Sequence, residues 1–300
     1  MTHTRDAWPV PGAGDTAGRW SLLVALASDD LPLVKLVEPH HDAMAILSEL
    51  DVQGLDGGGV WAVWAAEPPF AVLTGIETAA GWELSGTKAF CSGASLVSHA
   101  LVTAETPAGS RLFAIERGAV GIEEGDGPAW TGAGMSRANT RTLSFAEVPA
   151  IPVGSAGAYV DRPGFWLGGI GIAACWLGGA RRVAQTLENA SGRLDPHGRA
   201  HLGAVRSALD VSDLAFEAAA SMVDRRPVSV PEAERLAQSL RAHAAHVVEL
   251  VVSHVGRALG PAPLAFDAEH AEHVADLEVF VRQHHAERDL ARLGSTDSDE

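Results

Sequence analysis

The sequence predicts an α+β chain: a short N-terminal α segment, a central antiparallel β-barrel or sandwich, and a C-terminal four-helix bundle. Three observations predict it. Apolar residues recur at helical spacing before residue 58. Short β-rich segments then follow one another to about residue 150 with no helix between them. From residue 161 the periodicity turns helical again, broken only at proline and glycine clusters. The expected divisions are 1–58 for the helical segment, 59–160 for the β domain and 161–294 for the bundle. A polar tail, 295–300, is expected to be disordered.

Taken in order, "DTAGRWSLLVALASDD" opens with an N-cap candidate, Asp15 or Thr16, and places Trp20, Leu23, Val24 and Ala27 on one face. "DAMAILSELD" reads as a second short helix, ended by "GLDGGG" at 54–59. The strand candidates are "VWAVWA", "FAVLTGIETA", "GWELSGTKAF", "SHALVTAE", "SRLFAIER", "VGIEEG" and "RTLSFAEV", each bounded by Gly, Pro or Asp. Helices are expected near 163–190, 198–224, 231–259 and 268–293. Pro227 and Pro231 separate the second from the third; Gly260, Pro261 and Pro263 separate the third from the fourth.

Composition narrows the function. The chain has 300 residues, 47% apolar and 20% charged, which is globular in character. Its net charge of −16 repels phosphate backbones, so no nucleic-acid partner is expected. Two cysteines, Cys91 and Cys175, form no CxxC pair, which argues against a disulfide framework or a zinc site and fits a reducing, cytoplasmic setting. The uncharged run "GFWLGGIGIAACWLGGA", 164–180, imitates a membrane span but falls short of the ~20 residues needed. Its six glycines suit close helix packing, so no membrane partner is expected. His270/His273 and His243/His246 stand at i,i+3 without an HExxH pattern or an identifiable third ligand, so no metal is expected and solvated faces are the plainer reading. Gly169 and Gly171 lie in a helical run, away from any βαβ unit.

Three motifs carry chemistry. "AVWAAEPP" holds Glu67 and Pro68. "WELSGTKAFCSG" holds Trp82, Leu84, Gly86 and Lys88, then Phe90, Cys91 and Ser92. "GAGMSRANTRTLSFAEVPAIPV" follows. Together with the α–β–α order they resemble the acyl-CoA dehydrogenase family over residues 15 to 293. The resemblance implies FAD, an acyl-CoA or other acyl thioester substrate, and α,β-desaturation by proton removal and hydride transfer. It also implies a homo- or hetero-oligomer formed through the C-terminal helices, for which the apolar run "HVVELVVSHVGRALG" is the local signal. Carried over residue by residue, Ala65, Ala66, Phe90, Cys91 and Ser92 become cofactor contacts. Phe90 would offer an apolar face and the Ser92 hydroxyl or backbone N–H a donor. From the residues alone, the favoured reading of the same stretch is an aromatic-and-serine corner of a barrel.

The chain also departs from the family pattern. Phe70 and Val72 in "PFAV" stand where the family has a Gly-Ser pair beside the pyrophosphate. In "ASGRLDPHGRAHLGAV", Arg193 and Arg199 are the cationic candidates for a phosphate, but their spacing is not the family's and solvated surface arginines are the plainer reading. The N-terminal helical segment is short. In "DLEVFVRQHHAERDLARLG" the position of the family's glutamate base falls on His284, with Glu287 one turn on; on one helix Leu277, Phe280, Val281 and His284 share a face, and His284–Glu287 equally reads as an i,i+3 surface pair. Two further readings therefore stand beside the desaturase: a catalytically degenerate structural or partner subunit, and a flavin-dependent monooxygenase on the same fold.

Overall fold

The first helix, α1 (Thr16–Asp29), is capped as the sequence implies: the Asp15 carboxylate accepts from the Gly18 N–H. The computed structural model describes residues 8–55 and 58–295. The tail expected to be disordered therefore lies, apart from Ser295, outside the described residues. Trp20, Leu23 and Ala27 of α1 are buried. The second helix, α2 (Leu31–Glu49), begins well before the expected "DAMAILSELD". Asp30 starts it by accepting from the Leu33 N–H, and Pro39 sits inside it, a residue that sequence reading takes as a break.

All the expected strand segments form strands: β1 (Trp61–Trp64), β2 (Leu73–Thr78), β3 (Gly81–Cys91), β4 (His99–Thr106), β5 (Gly109–Glu116), β6 (Ile122–Glu124) and β7 (Arg141–Val153). They close into a barrel, because β4, β2, β3, β7 and β5 pair in turn and β5 pairs back onto β4. Leu84, Cys91, Val102, Phe113, Leu143 and Phe145 belong to one apolar core. A second core joins Leu101, Leu112, Ala114 and Val153 of the strands to Ala43, Ile46 and Leu47 of α2. The barrel is not wholly antiparallel: β1 runs parallel to β4 from Trp61↔His99 to Trp64↔Val102, and β2 meets β4 in parallel at Thr74↔Glu105.

That arrangement leaves Thr103 in a gap. Its strand edge is served by β1 up to Val102 and by β2 only from Glu105. Lys88 fills the gap from β3. Its Nζ donates to the Thr103 carbonyl at 2.7 Å and to Thr103 Oγ1 at 2.8 Å, and the Glu67 carboxylate lies 3.9 Å away. Gly86, two residues earlier, is at φ +123°, and a Cβ there would stand 2.3 Å from the Val72 carbonyl oxygen. The Gly-x-Lys element and its partner Glu67 thus close the barrel.

The helical elements are α3 (Pro163–Asn189), α4 (Pro196–Arg225), α5 (Val230–Leu259), α6 (Ala262–Phe266), α7 (Ala268–Phe280) and α8 (Glu287–Gly294). Asp195 caps α4, and a Ser229–Glu232 capping box starts α5. The glycine-rich run lies in α3 and is packed, as expected: a Cβ at Gly178 would meet the Val24 carbonyl oxygen at 2.5 Å. Among the described residues no helix is long and apolar enough to cross a membrane. Val247, Val248, Val251 and Val255 of the apolar α5 run are buried within the chain itself. The exposed apolar side chains of the long helices lie instead on α4, at Val211, Leu214 and Met222.

By its contacts the chain divides into two units that alternate along the sequence. The described part of one comprises residues 8–34, 133–135 and 166–295; the other comprises residues 35–132 and 136–165. The first is the helical unit. It includes the short excursion at 133–135, where Gly134 lies against the Ala275 carbonyl and the Met135 N–H donates to Asp276. The second is the barrel unit, with most of α2.

The expected last helix, 268–293, is broken. α7 stops at Phe280, a 3₁₀ turn covers Val281–Gln283, His284 is extended, and Ala286 at φ +47° precedes α8. His284 and Glu287 therefore do not share a helix. Two contacts make the break tolerable. Arg241 Nη2 donates to the Gln283 carbonyl, and Asp289 accepts the His285 N–H.

Candidate functional site

β3 ends in a bulge. Between the pairs Lys88↔Leu143 and Cys91↔Arg141, β3 holds one residue more than β7. The bulge contains Phe90, held at φ +57° and 50% exposed. A left-handed conformation costs a non-glycine residue roughly 1–2 kcal/mol. The sequence nevertheless places a large aromatic there, with its ring against the surface. The Phe70 ring, itself exposed, meets it edge to face at 6.2 Å.

The bulge also turns Cys91 inward. The thiol is buried in the barrel core and its Sγ lies 3.3 Å from the Lys88 carbonyl. Burial pushes its pKa up to about 12, against the opposing pull of Lys88 and Arg117. Cys91 is therefore withdrawn from the role of cofactor contact. The same burial pulls Lys88 down to about 8, although Glu67, Cys91 and Glu105 act to raise it.

Ser92 lies one residue beyond the bulge. Its backbone N–H is engaged by the Phe90 carbonyl at 2.9 Å, and its own carbonyl accepts from Trp64 Nε1 at 2.9 Å. The donor available to a ligand is thus the hydroxyl and not the backbone amide. Ser92 Oγ and Thr140 Oγ1 are 3.0 Å apart. One hydroxyl donates to the other, which leaves the second O–H free to point at a ligand. Asn139 (φ +50°) supports this corner by accepting from the Ser95 N–H and hydroxyl. Phe90 and Ser92 line a shallow groove with Leu36 and Pro39 of α2, Trp61 and Val97. Ala65 is half-buried and Ala66 exposed on the loop that follows β1 and leads to Phe70.

The remaining candidates belong to the helical unit. Arg193 and Arg199 are exposed; Arg199 Nε donates to the Leu194 carbonyl. Glu287 is exposed at the start of α8. His284 is half-buried, with its buried Nε2 lacking a hydrogen-bond partner and 4.0 Å from Asp289 Oδ2. Burial lowers its pKa, Asp289 opposing, so the imidazole is neutral at pH 7. Trp176 meets it edge to face at 6.4 Å, with Arg241 4.8 Å above the indole. His270 and His273 are buried, not solvated: His270 Nδ1 bonds Thr186 Oγ1 and His273 Nδ1 bonds the Glu269 carbonyl.

Sequence reading missed Trp64 and Thr140, and marked Phe70 only as a departure from the family's Gly-Ser pair. Trp64 carried only a β-propensity signal, and nothing local marks its indole N–H as the support of a residue 28 positions on.

No protein-family model matches the chain, and no curated protein matches it. Solved structures do. The dibenzothiophene monooxygenase TdsC from Paenibacillus sp. A11-2 aligns at 20% identity, covering 93% of this chain and 82% of that one, with a TM-score of 0.77. KijD3, solved with FMN and a dTDP-linked amino-keto sugar, aligns at 18% identity over 93% of this chain and 78% of that one, with a TM-score of 0.79. A variant of a steroid ACAD aligns at 19% over 95% and 84%, with a TM-score of 0.69. The chain has their fold. N-terminal helices, a central β-barrel and a C-terminal helical domain make up the acyl-CoA dehydrogenase-like architecture.

Proposed function

We propose that the chain is a flavin-dependent oxidoreductase of the monooxygenase kind, with the isoalloxazine ring lying against Phe90. The observation that carries this reading is the bulge at the end of β3. An aromatic ring is held outward at a conformational cost, and a spare hydroxyl from the Ser92–Thr140 pair lies beside it. A flavin requires an apolar face and hydrogen-bond donors, and these residues fit it. When bound, it would supply hydride and oxygen chemistry that no side chain can. Phe90 would carry the ring, the hydroxyl pair would donate to its edge, and Trp64 would hold Ser92 in place.

Desaturation of an acyl thioester is the weaker reading, because it needs a positioned carboxylate base. At the matched positions this chain offers an exposed Glu287 and a half-buried neutral His284. A neutral imidazole suits proton transfer in oxygen chemistry, and His284 is the acid–base candidate we retain. FMN fits better than the FAD of the family resemblance. Phe70 occupies the turn where small residues would admit a second phosphate, and TdsC and KijD3 have both been solved with FMN. Assembly through the C-terminal helices is proposed on the exposed Val211, Leu214 and Met222 of α4.

Titration with FMN and FAD, followed by flavin fluorescence and absorbance near ~450 nm, tests the reading. FMN is expected to bind, and Phe90→Ala to weaken binding at least tenfold, while Phe266→Ala, an exposed aromatic of the helical unit, leaves it unchanged. Anaerobic reduction of bound flavin by acyl-CoA would restore the desaturase. A colourless chain that takes up neither flavin would overturn the proposal in favour of a partner subunit.

A further inference from the structure

Two histidines that no motif singles out meet between the long helices. His201 lies on α4 and His254 on α5, and their Nδ1 atoms are 3.1 Å apart. The rings approach edge to face, with centroids at 4.9 Å and planes at 82°. Both side chains are half-buried, on helices fixed by Asp195 and by the Ser229–Glu232 box. We propose that His201 and His254 form a two-histidine clamp for a divalent transition-metal ion of the zinc, nickel or copper class, tying α4 to α5.

The spacing carries the proposal. Metal–imidazole bonds of about 2.0–2.1 Å place two nitrogens of one shell roughly 2.9 Å apart at a right angle and roughly 3.4 Å apart at the tetrahedral angle. The observed 3.1 Å separation falls between these limits, so the two nitrogens already stand at the spacing of two ligands in one shell. Both rings would then carry their proton on Nε2 and turn Nδ1 lone pairs to the metal. Among the described residues no group of three or more His, Cys, Asp or Glu side chains is placed to hold a metal. Water therefore completes the shell, and the clamp is a modest-affinity staple of the bundle, separate from any redox chemistry. Arg257, close to His254, opposes a cation, while the net charge of −16 favours one.

Untagged, metal-stripped protein titrated calorimetrically with Ni²⁺ and Zn²⁺ at pH 7.5 tests this. The wild type is expected to bind one ion at micromolar affinity and to gain a few degrees in Tm at saturation. His201→Gln and His254→Gln should each lose at least tenfold in affinity and the Tm gain, with unchanged circular dichroism. His246→Gln, an exposed histidine of α5, should retain both. If the double variant His201→Gln/His254→Gln binds and melts with metal as the wild type does, the pair is a hydrogen-bonded contact only and the clamp is refuted.

Discussion

Lys88→Met tests the reading of Lys88 as a buried cation that closes the barrel. Lys88 is 2% exposed, with its ammonium held by both oxygens of Thr103. Burial brings its pKa from 10.5 to about 8. At about 1.36 kcal/mol per unit, that difference amounts to roughly 3 kcal/mol of linkage. The sign follows from which state holds the proton. Between pH 8 and 10.5 the unfolded chain keeps a proton that the folded chain has released, so stability rises with pH. This contribution is fully present above the unfolded value and is lost as pH falls through about 8. Urea unfolding of wild type and Lys88→Met at pH 7.5 and pH 10 isolates the effect, because the other groups cancel in the difference. The wild type should gain roughly 2 kcal/mol relative to the variant between those two pH values. A difference that stays flat within about 0.5 kcal/mol would show that Lys88 is not a desolvated cation, and the closure argument would fail.

Gly86→Ala should destabilise by roughly 2–5 kcal/mol in denaturant melts, because the new methyl meets the Val72 carbonyl at 2.3 Å in a left-handed backbone. Trp64→Phe removes the donor to the Ser92 carbonyl; it should cost about 1 kcal/mol and weaken FMN binding several-fold in the fluorescence titration. For His284, depressed by burial, the unfolded chain takes up the proton first as pH falls. The stability of wild type relative to His284→Gln should therefore decline through the acid side of pH 6.5, as read by melts at pH 7.5 and pH 5.

The strands were legible because each is short, β-rich and closed by a turn residue. Three features could not be read. The parallel pairing of β1 with β4 depends on where β1 lands after a loop, which no local pattern encodes. The early start of α2 was hidden by Pro39, since local rules take proline as a break while packing holds the helix through it. The end of α7 was hidden for the opposite reason. "QHHA" contains no glycine or proline, and the break is stabilised by Arg241 and Asp289, one of them 42 residues away. In the site, Phe90 and Ser92 were found through a motif, but the roles of their neighbours were not. Whether a residue in a strand points in or out depends on a one-residue bulge, and the bulge that exposes Phe90 also buries Cys91.

The break before α8 has a consequence for how the chain breathes. α8 has eight residues, none of them buried, and no side-chain cap at its start. A helix this short does not persist alone in water. It is held by Arg292, which pairs with Glu234 at 2.6 Å and lies 5.5 Å above the Trp166 ring. Its amides should exchange with deuterium long before those of α3 or α5, as a separate low-energy opening. The cooperative core then ends at Val281, the last buried residue before α8, and a protease cutting at His285 or Ala286 would remove the last turns while leaving the bundle intact.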